Sequence, residues 1–403
     1  MDSLLPFLKK KDQYFLALDI GTKTVKALIF KKAGEKIIIL GSSLESLELF
    51  GVFDSWSLQE DLIKKVILKT IQEARQNFAS QSLDGQIQKQ KIWPTFLGLS
   101  ANILKSKISF QNFKRTKPKE KIQEKEKEKI LKGVISCSQK EISQEIRQES
   151  GILTRDLRFL NLKILETKID GYEVPQLPGF SGQNLEFRIL NTFLLKYSLE
   201  TIEKIFQDLN LKILQILSPV QNLPQVLGDK KIGGLFLDIG GEISQIILLR
   251  ENKIHSIAEF PIGGEIFSQR LSETLGISLT EAEDLKIRYS KKLLTEEVRK
   301  RVKEIFYRDT QTWFNNLKLE LKKTLLPQIR GLIPSVIFLC GGGSLLPEIE
   351  EILTDGDWED LLFLRGQPKV KFLIPKDLEN IEDRTKKLNS PQNIPSTLLC
   401  YAV

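Results

Sequence analysis

Apolar and polar positions along the chain change their period several times, and each change marks an element. Tyr14 to Asp19, Val25 to Phe30 and Lys36 to Leu40 are apolar runs of strand length, the last two separated by the turn formers Ala33 and Gly34. From about Leu58 to Phe78 the period becomes helical, with Leu62, Val66, Ile67 and Ile71 on one side. Trp93 to Leu99 is again a strand. A helical stretch near Lys140 to Glu149 follows, then a strand over Leu160 to Lys168 and a loop rich in turn formers, Val174 to Gly182. Phe187 to Leu195 resumes a strand, Leu199 to Leu209 is an amphipathic helix, and Leu211 to Leu217 leads into a crossover at Ser218 to Asn222. The second half repeats the opening grammar. Strands are predicted at Leu235 to Asp238, Ile243 to Leu249 and Ile254 to Phe260, with a reverse turn at Glu251 and Asn252. Helices are predicted at 264–275, 280–289, 296–308, 310–325 and 346–353, and a strand at Ser335 to Leu339. Strand–turn–strand at 14–40 and again at 234–260 is a weak internal repeat, which points to two related half-domains.

Three strands run into glycine turns. The first two are near-copies, Asp19-Ile20-Gly21 and Asp238-Ile239-Gly240-Gly241, and the third ends in Gly341, Gly342 and Gly343. A phosphate chain with its metal is well held between two facing turns, whose backbone N–H groups approach the oxygens while each turn brings one carboxylate to the metal. Gly21, Thr22 and Lys23 would donate from one side, and Gly240 and Gly241 from the other. Asp19 and Asp238 end their strands, so they project from the sheet edge where open α/β folds bind ligands. They are the candidate Mg²⁺ ligands, mostly through water. Lys26 is placed to reach back to a phosphate. The three glycines at 341–343 permit flat approach of an adenine or its phosphate. Glu283 and Lys286, one turn apart on a helix, could receive two ribose hydroxyls, or form an ordinary surface ion pair. Either Asp-Ile-Gly alone would read as a simple turn at a strand end; the matched pair argues for a cleft.

Composition narrows the class. At 403 residues with 41% hydrophobic content, two or more globular domains are expected. No window of 18 apolar residues occurs, so no transmembrane helix is predicted. The start, Met1 to Lys11, does not read as a signal peptide, because its apolar part is short and the lysines follow it. It reads as a frayed terminus or as a weak membrane contact, with Leu4, Leu5, Phe7 and Leu8 dipping beneath Lys9 to Lys11. Three cysteines without metal or disulfide spacing fit a reducing cytoplasm, and a single His, His255, leaves little room for triad or zinc chemistry. Net charge is +8, but the excess is diffuse. The densest run, Lys114 to Lys129, interleaves Lys with Glu without aromatics, so it reads as a solvated helix face or hairpin tip, and no nucleic-acid binding is expected.

These residues reach a known family. From about Tyr14 to Val403 the chain resembles the actin-like ATPases, and within them the bacterial FtsA/PilM group. Asp19 to Lys26 is similar to the first phosphate motif, Asp238 to Gly241 to the second, and Leu339 to Pro347 to the adenosine motif. The most specific stretch is Phe260 to Ser268 running on to Thr280 to Lys286. The insertion ending in Gly179 to Gly182 is similar to the 1C, or SHS2, subdomain of FtsA. The resemblance implies an α/β, two-domain actin-like fold with ribonuclease H-like halves and a small α+β SHS2/1C insertion. Its boundaries are 12–99 plus 186–228 and 390–403 for domain I, 100–185 for the insertion and 229–389 for domain II. It implies ATP and Mg²⁺ as cofactors and at most a slow ATPase.

The same resemblance implies a cytoplasmic scaffold at the inner face of the membrane, in cell division or, alternatively, in type IV pilus assembly. Implied partners are other copies of the chain in filaments or oligomers, and an FtsZ-like or pilus inner-membrane protein. After Gly241 the family usually has Gly and then Thr or Ser; here Glu242 and Ile243 stand, so the carboxylate must point away from a γ-phosphate or face the metal. At the crossover, Gln221 is the residue that could orient an attacking water. FtsA continues past the closing helix of its first domain into a linker and membrane helix. Here that helix is expected at Ser396 to Val403, and the membrane contact would then fall to the N-terminal segment, to a partner, or be lost. A metabolic kinase would need an Asp aimed at a substrate hydroxyl, and no such motif stands out.

Overall fold

The computed structural model describes residues 13–47, 59–79, 93–227, 233–325, 335–358 and 366–403. The N-terminal lysine-rich segment, Met1 to Lys11, lies outside them. Contacts divide the chain into two units, one comprising 1–102 with 205–403 and the other Ile103–Lys204.

The first unit holds two sheets. Its chain begins β1 Tyr14–Ile20, β2 Thr24–Ala33, β3 Lys36–Ser46, helix α1 Glu60–Ala79 and β4 Trp93–Leu99. The second unit contributes β5 Lys105–Lys114, α2 Glu124–Ser150, β6 Leu157–Ile169, β7 Tyr172–Glu173 and β8 Asn184–Leu195, followed by α3 Lys196–Asp208. Then come β9 Leu211–Leu217, the short α4 Leu223–Val226, β10 Gly234–Ile239, β11 Ser244–Arg250, β12 Lys253–Phe260, α5 Glu265–Leu275, α6 Leu279–Ser290 and α7 Glu296–Glu320. The remainder is β13 Val336–Cys340, α8 Pro347–Asp355, β14 Lys369–Phe372, β15 Ile381–Asp383 and α9 Ile394–Leu399.

The predicted repeat is a repeat of topology. One sheet runs β15-β3-β2-β1-β4-β9 and the other β12-β11-β10-β13-β14. Apart from the added β15, each places its first strand at the centre, an antiparallel hairpin on one side and two parallel strands on the other. β1 is buried at all seven positions, as a central strand covered on both faces must be. β12 alternates buried and half-buried residues, as an edge strand does. On α1 the buried stripe runs Ile63, Ile67, Thr70, Ile71, Ala74 and Phe78, so its centre lies one residue from the predicted stripe.

Three expectations change. The helices predicted at 296–308 and 310–325 are one helix, α7, which runs into a wide turn at Leu321–Leu325. Val302, Phe306, Thr310, Trp313, Phe314 and Leu317 form an unbroken buried stripe, and no Gly or Pro interrupts it. The boundary drawn at 185/186 falls inside a sheet: β8 is the inner strand of β5-β8-β6-β7, paired with β5 and β6, so residues 186–195 belong with the insertion. The boundary at 389/390 is also late, because β15 pairs with β3 of the first sheet. The apolar pattern does not mark β14 or β15; each is short, and β15 is largely polar. The C-terminal helix is present as α9, with Leu399 and Cys400 in the core against Phe15, Phe30 and Phe96.

In the second unit, α2 lies on one face of the small sheet. Two apolar clusters, one around Val134 and Phe187 and one around Ile142 and Phe193, flank a polar waist where Asn191 donates to Ser138 at 2.8 Å. The Lys/Glu run is only partly a solvated face. Its Arg115 is buried, forks onto Glu126 at 2.8 Å through both Nε and Nη2, and also donates to the carbonyls of Gly182 and Glu120. Arg115→Ala should therefore destabilise this unit by about 2 kcal/mol, since it strands two carbonyls and a half-exposed carboxylate. Urea unfolding read by hydrogen exchange over 103–204 checks it; Arg115→Lys, which cannot fork, should recover less than half. Among the described residues no helix is long and apolar enough to cross a membrane.

Candidate functional site

The two Asp-Ile-Gly turns lie opposite one another in a cleft of about 730 Å³ between the two sheets of the first unit. Its walls include Asp19, Gly21, Thr22, Lys23 and Lys26 from one half. From the other half come Asp238, Gly240, Gly241, Glu283, Lys286, Gly341, Gly342 and Gly343. Thirteen of the fourteen candidate residues thus share one cavity. Gln221 is the exception: it is buried one step beyond, and the crossover lines the cleft with Ser218, Pro219 and Val220 instead. The register of the 3-10 turn Pro219–Asn222 decides this, and periodicity does not report it.

The turns are built alike. Gly21 N–H donates to Thr24 O and Gly240 N–H to Ile243 O, each at 2.9 Å. These two N–H groups close their own turns and are not available to a ligand, which corrects their expected role. What remains is a matched pair on each side. The N–H groups of Thr22 and Lys23, and of Gly241 and Glu242, have no partner among the described residues. The Thr22 hydroxyl is buried and also has none. A buried polar group without a partner, such as the Thr22 hydroxyl, is rare because it forfeits its hydration, and its company with unpaired N–H groups on half-buried facing turns suits an anionic ligand. Gly264 and Glu265 fix the second turn from behind, donating N–H to Gly240 O at 2.9 Å and Gly241 O at 2.8 Å.

The carboxylates sit deeper. Asp19 and Lys26 are cross-strand partners and form a buried ion pair at 2.9 Å, so Lys26 faces Asp19 rather than standing free. Asp238 keeps a partly accessible edge on the cleft. Its surroundings nevertheless push its carboxyl up to about 6, chiefly by desolvation, with Lys26 opposing and Asp19 adding to the rise. A cation would relieve that penalty. No group of three or more His, Cys, Asp or Glu able to hold a metal occurs among the described residues, and the carboxylates on the cleft wall at the turns are Asp19 and Asp238. That donor set is all-oxygen and suits Mg²⁺.

At the far end, Lys286 is not the surface partner of a bland ion pair. Its side chain is 12% exposed, it donates to Gly264 O at 2.9 Å and to Glu283 at 2.7 Å, and desolvation pulls its pKa down. Glu283 also accepts from Ser268. The pair therefore locks α6 onto the start of α5. Gly342 has nothing within 4 Å of where a Cβ would stand, so it faces open cleft. Gly341 differs: its φ is +83° and a Cβ there would lie 2.4 Å from Asp238 Oδ1, so its absent side chain is what lets Asp238 approach.

Sequence reasoning did not foresee two contacts between the halves. Lys23 Nζ lies 2.5 Å from Glu265 Oε1, and Asn102 Nδ2 donates to Glu242 at 3.2 Å. Glu242 thus points away from the turn toward Asn102, and burial, with Glu265 beside it, raises its carboxyl despite Lys23. The motif Phe260 to Glu265 signalled the position of Glu265; nothing in the sequence signalled Asn102.

The sequence model of the family described as "Cell division protein FtsA" matches residues 235–392. FtsA of Streptococcus pneumoniae is 22% identical over 362 residues, 85% of this chain and 73% of that protein. FtsA of Neisseria meningitidis is 25% identical over 288 residues, 70% of this chain and 63% of that protein. For the Pseudomonas aeruginosa FtsA the figures are 24%, 68% and 60%, so the chain spans less than two thirds of these last two relatives. Among solved structures, the PilM–PilN type IV pilus biogenesis complex contains a chain that superposes with a TM-score of 0.65 at 16% identity, covering 96% of this chain and 98% of that one. The fold is therefore that of the matched chain in this complex.

Proposed function

We propose, from the premise that this chain is an actin-like protein of the FtsA/PilM group, that it binds ATP with Mg²⁺ in the cleft and works as a nucleotide-responsive scaffold of bacterial cell division. The observation that carries the binding half is the set of unpartnered donors on the two facing turns, above the Asp19–Lys26 and Asp238 carboxylates. Thr22, Lys23, Gly241 and Glu242 N–H would receive the phosphate chain. Asp19 and Asp238 would hold the metal through its waters, and the Glu283–Lys286 end with Gly342 would receive the nucleoside. When bound, Mg²⁺ supplies charge neutralisation between phosphates and carboxylates. Because Gln221 does not line the cleft and Glu242 turns toward Asn102, the residues present favour binding and closure over fast hydrolysis. Closure of the two halves would then set the surface that assembles with further copies or docks an FtsZ-like partner. A cytoplasmic location at the inner membrane face goes with that role.

A pilus-assembly role is the second reading, supported by the near-complete superposition on a chain of the PilM–PilN type IV pilus biogenesis complex. Calorimetric titration with ATP and Mg²⁺, with Asp19→Ala and Asp238→Ala as controls, tests the binding half. Binding in the wild type lost in both variants is expected; no ATP affinity in the wild type rejects it. Pull-down against FtsZ tails and pilus inner-membrane peptides separates the two roles.

A further inference from the structure

Lys23 stands between the two halves of the cleft. Its backbone lies in the first phosphate turn and its ammonium reaches Glu265 at 2.5 Å, at the first residue of α5 in the other half. The stem passes close over the second turn: a Cβ on Gly241 would meet Lys23 Cγ at 2.6 Å and Thr22 Oγ1 at 2.5 Å. Two carboxylates act on this one cation, Glu265 and Glu242, since both Lys23 and Glu265 shift the Glu242 carboxyl. Glu242 is held back by Asn102 at 3.2 Å, so Glu265 is the carboxylate that captures the ammonium.

We infer that the Lys23–Glu265 pair determines how the cleft distinguishes a nucleoside triphosphate from a diphosphate. The inference rests on the nucleotide-binding reading above. The nucleoside end of the cleft is at Gly342 and Lys286, so the last phosphate lies nearest the turn tips, where Lys23 and Gly241 nearly touch. A diphosphate leaves the tips, and the Lys23–Glu265 pair, undisturbed. A third phosphate must enter between the tips and face Glu265; it is accommodated when Lys23 leaves Glu265 and pairs with the phosphate. Triphosphate affinity is then reduced by whatever holds Lys23 on Glu265, and diphosphate affinity is not. An ion pair of this partly buried kind, with side chains 29% and 14% exposed, is in the range that shifts binding by about 3- to 10-fold.

The test is titration of ATP and ADP, each with Mg²⁺, into wild type, Glu265→Gln and Lys23→Gln, with melting temperatures recorded for all three. Glu265→Gln should raise the ATP affinity relative to ADP by about fivefold, because the ammonium is freed and a repelling charge removed. Lys23→Gln should lower the same ratio by at least as much, leaving the Glu265 carboxylate facing the third phosphate with no cation beside it. Lys23→Arg should keep most of the wild-type ratio. If Glu265→Gln melts early, Glu265→Asp, whose shorter side chain draws back from Lys23 and weakens the pair, should move the ratio in the same direction. A ratio unchanged in both Gln variants, with both nucleotides still bound, overturns the inference alone. Wild-type protein that binds neither nucleotide overturns the binding reading and this inference with it. A ratio that falls in Glu265→Gln also overturns it, assigning Glu265 to the ligand instead of to Lys23.

Discussion

Asp238→Asn should make the nucleotide-free protein more stable and its nucleotide affinity indifferent to magnesium. The Asp238 carboxyl ionises near 6 in the folded chain against an ordinary value of 3.8, mainly because it is desolvated. A raised carboxyl means the folded state holds its proton more tightly than the unfolded state does. That contribution is complete below pH 3.8 and is lost as pH rises through about 6. At pH 7.5 the ionised group therefore costs about 2–3 kcal/mol, since each tenfold weakening of an acid corresponds to about 1.4 kcal/mol. Asparagine carries no charge and escapes the cost, so in EDTA the variant should gain that amount at pH 7.5 and almost nothing at pH 4. Urea unfolding at the two pH values measures the difference. With Mg²⁺ present the sign reverses, because the carboxylate is what the cation would hold. Loss of roughly 30-fold or more in ATP–Mg²⁺ affinity is expected, on the scale of ~2 kcal/mol. A variant less stable than wild type at pH 7.5 in EDTA would show that Asp238 is held by compensating contacts and is not poised for a cation.

The largest loss of stability is expected at Gly341. A methyl group there would meet Asp238 Oδ1 and the Ile239 carbonyl oxygen, each at 2.4 Å, with φ at +83°. The Ile239 carbonyl belongs to the strand end and cannot rotate away. Gly341→Ala should cost about 3–4 kcal/mol or prevent folding, summing left-handed strain and overlap with fixed atoms. Its neighbour isolates the ligand effect from the folding effect. Gly342 has φ of −70° and open space where a side chain would go. Gly342→Leu should melt within about 2 °C of wild type, in keeping with an exposed substitution, while its side chain occupies the nucleoside end and lowers nucleotide affinity by about tenfold or more. Paired melting curves and titrations decide this. Equal melting for both variants would mean that β10 and β13 tolerate a shift that the tight Asp238–Gly341 approach argues against.

These contrasts show which features the residues announce and which they do not. The two Asp-Ile-Gly turns, the central apolar strands and the α5–α6 signature were legible because each is a local pattern. An apolar run must be buried, and a glycine after a strand must turn. For the same reason thirteen of the fourteen candidate residues fell in one cavity. Roles within the turns were less legible. Gly21 and Gly240 looked like ligand donors, yet closing a four-residue turn uses their N–H groups, and the next two residues keep theirs free. Gln221 has the chemistry to orient a water, but the 3-10 turn places its neighbours on the cleft instead.

Residue pattern alone was enough for two related halves, each ordered around an apolar strand ending in Asp, because periodicity and turn chemistry act over a few residues. The tertiary structure decided what joins distant segments. It moved β8 into the insertion and β15 beside β3, continued α7 through an expected break, and brought Lys23 to Glu265 and Asn102 to Glu242. Those last partners are polar residues on loops and helix ends, and burial alone does not dictate their pairing. Only the packing of two sheets sets which charges face each other across the cleft, and that packing depends on every core residue at once.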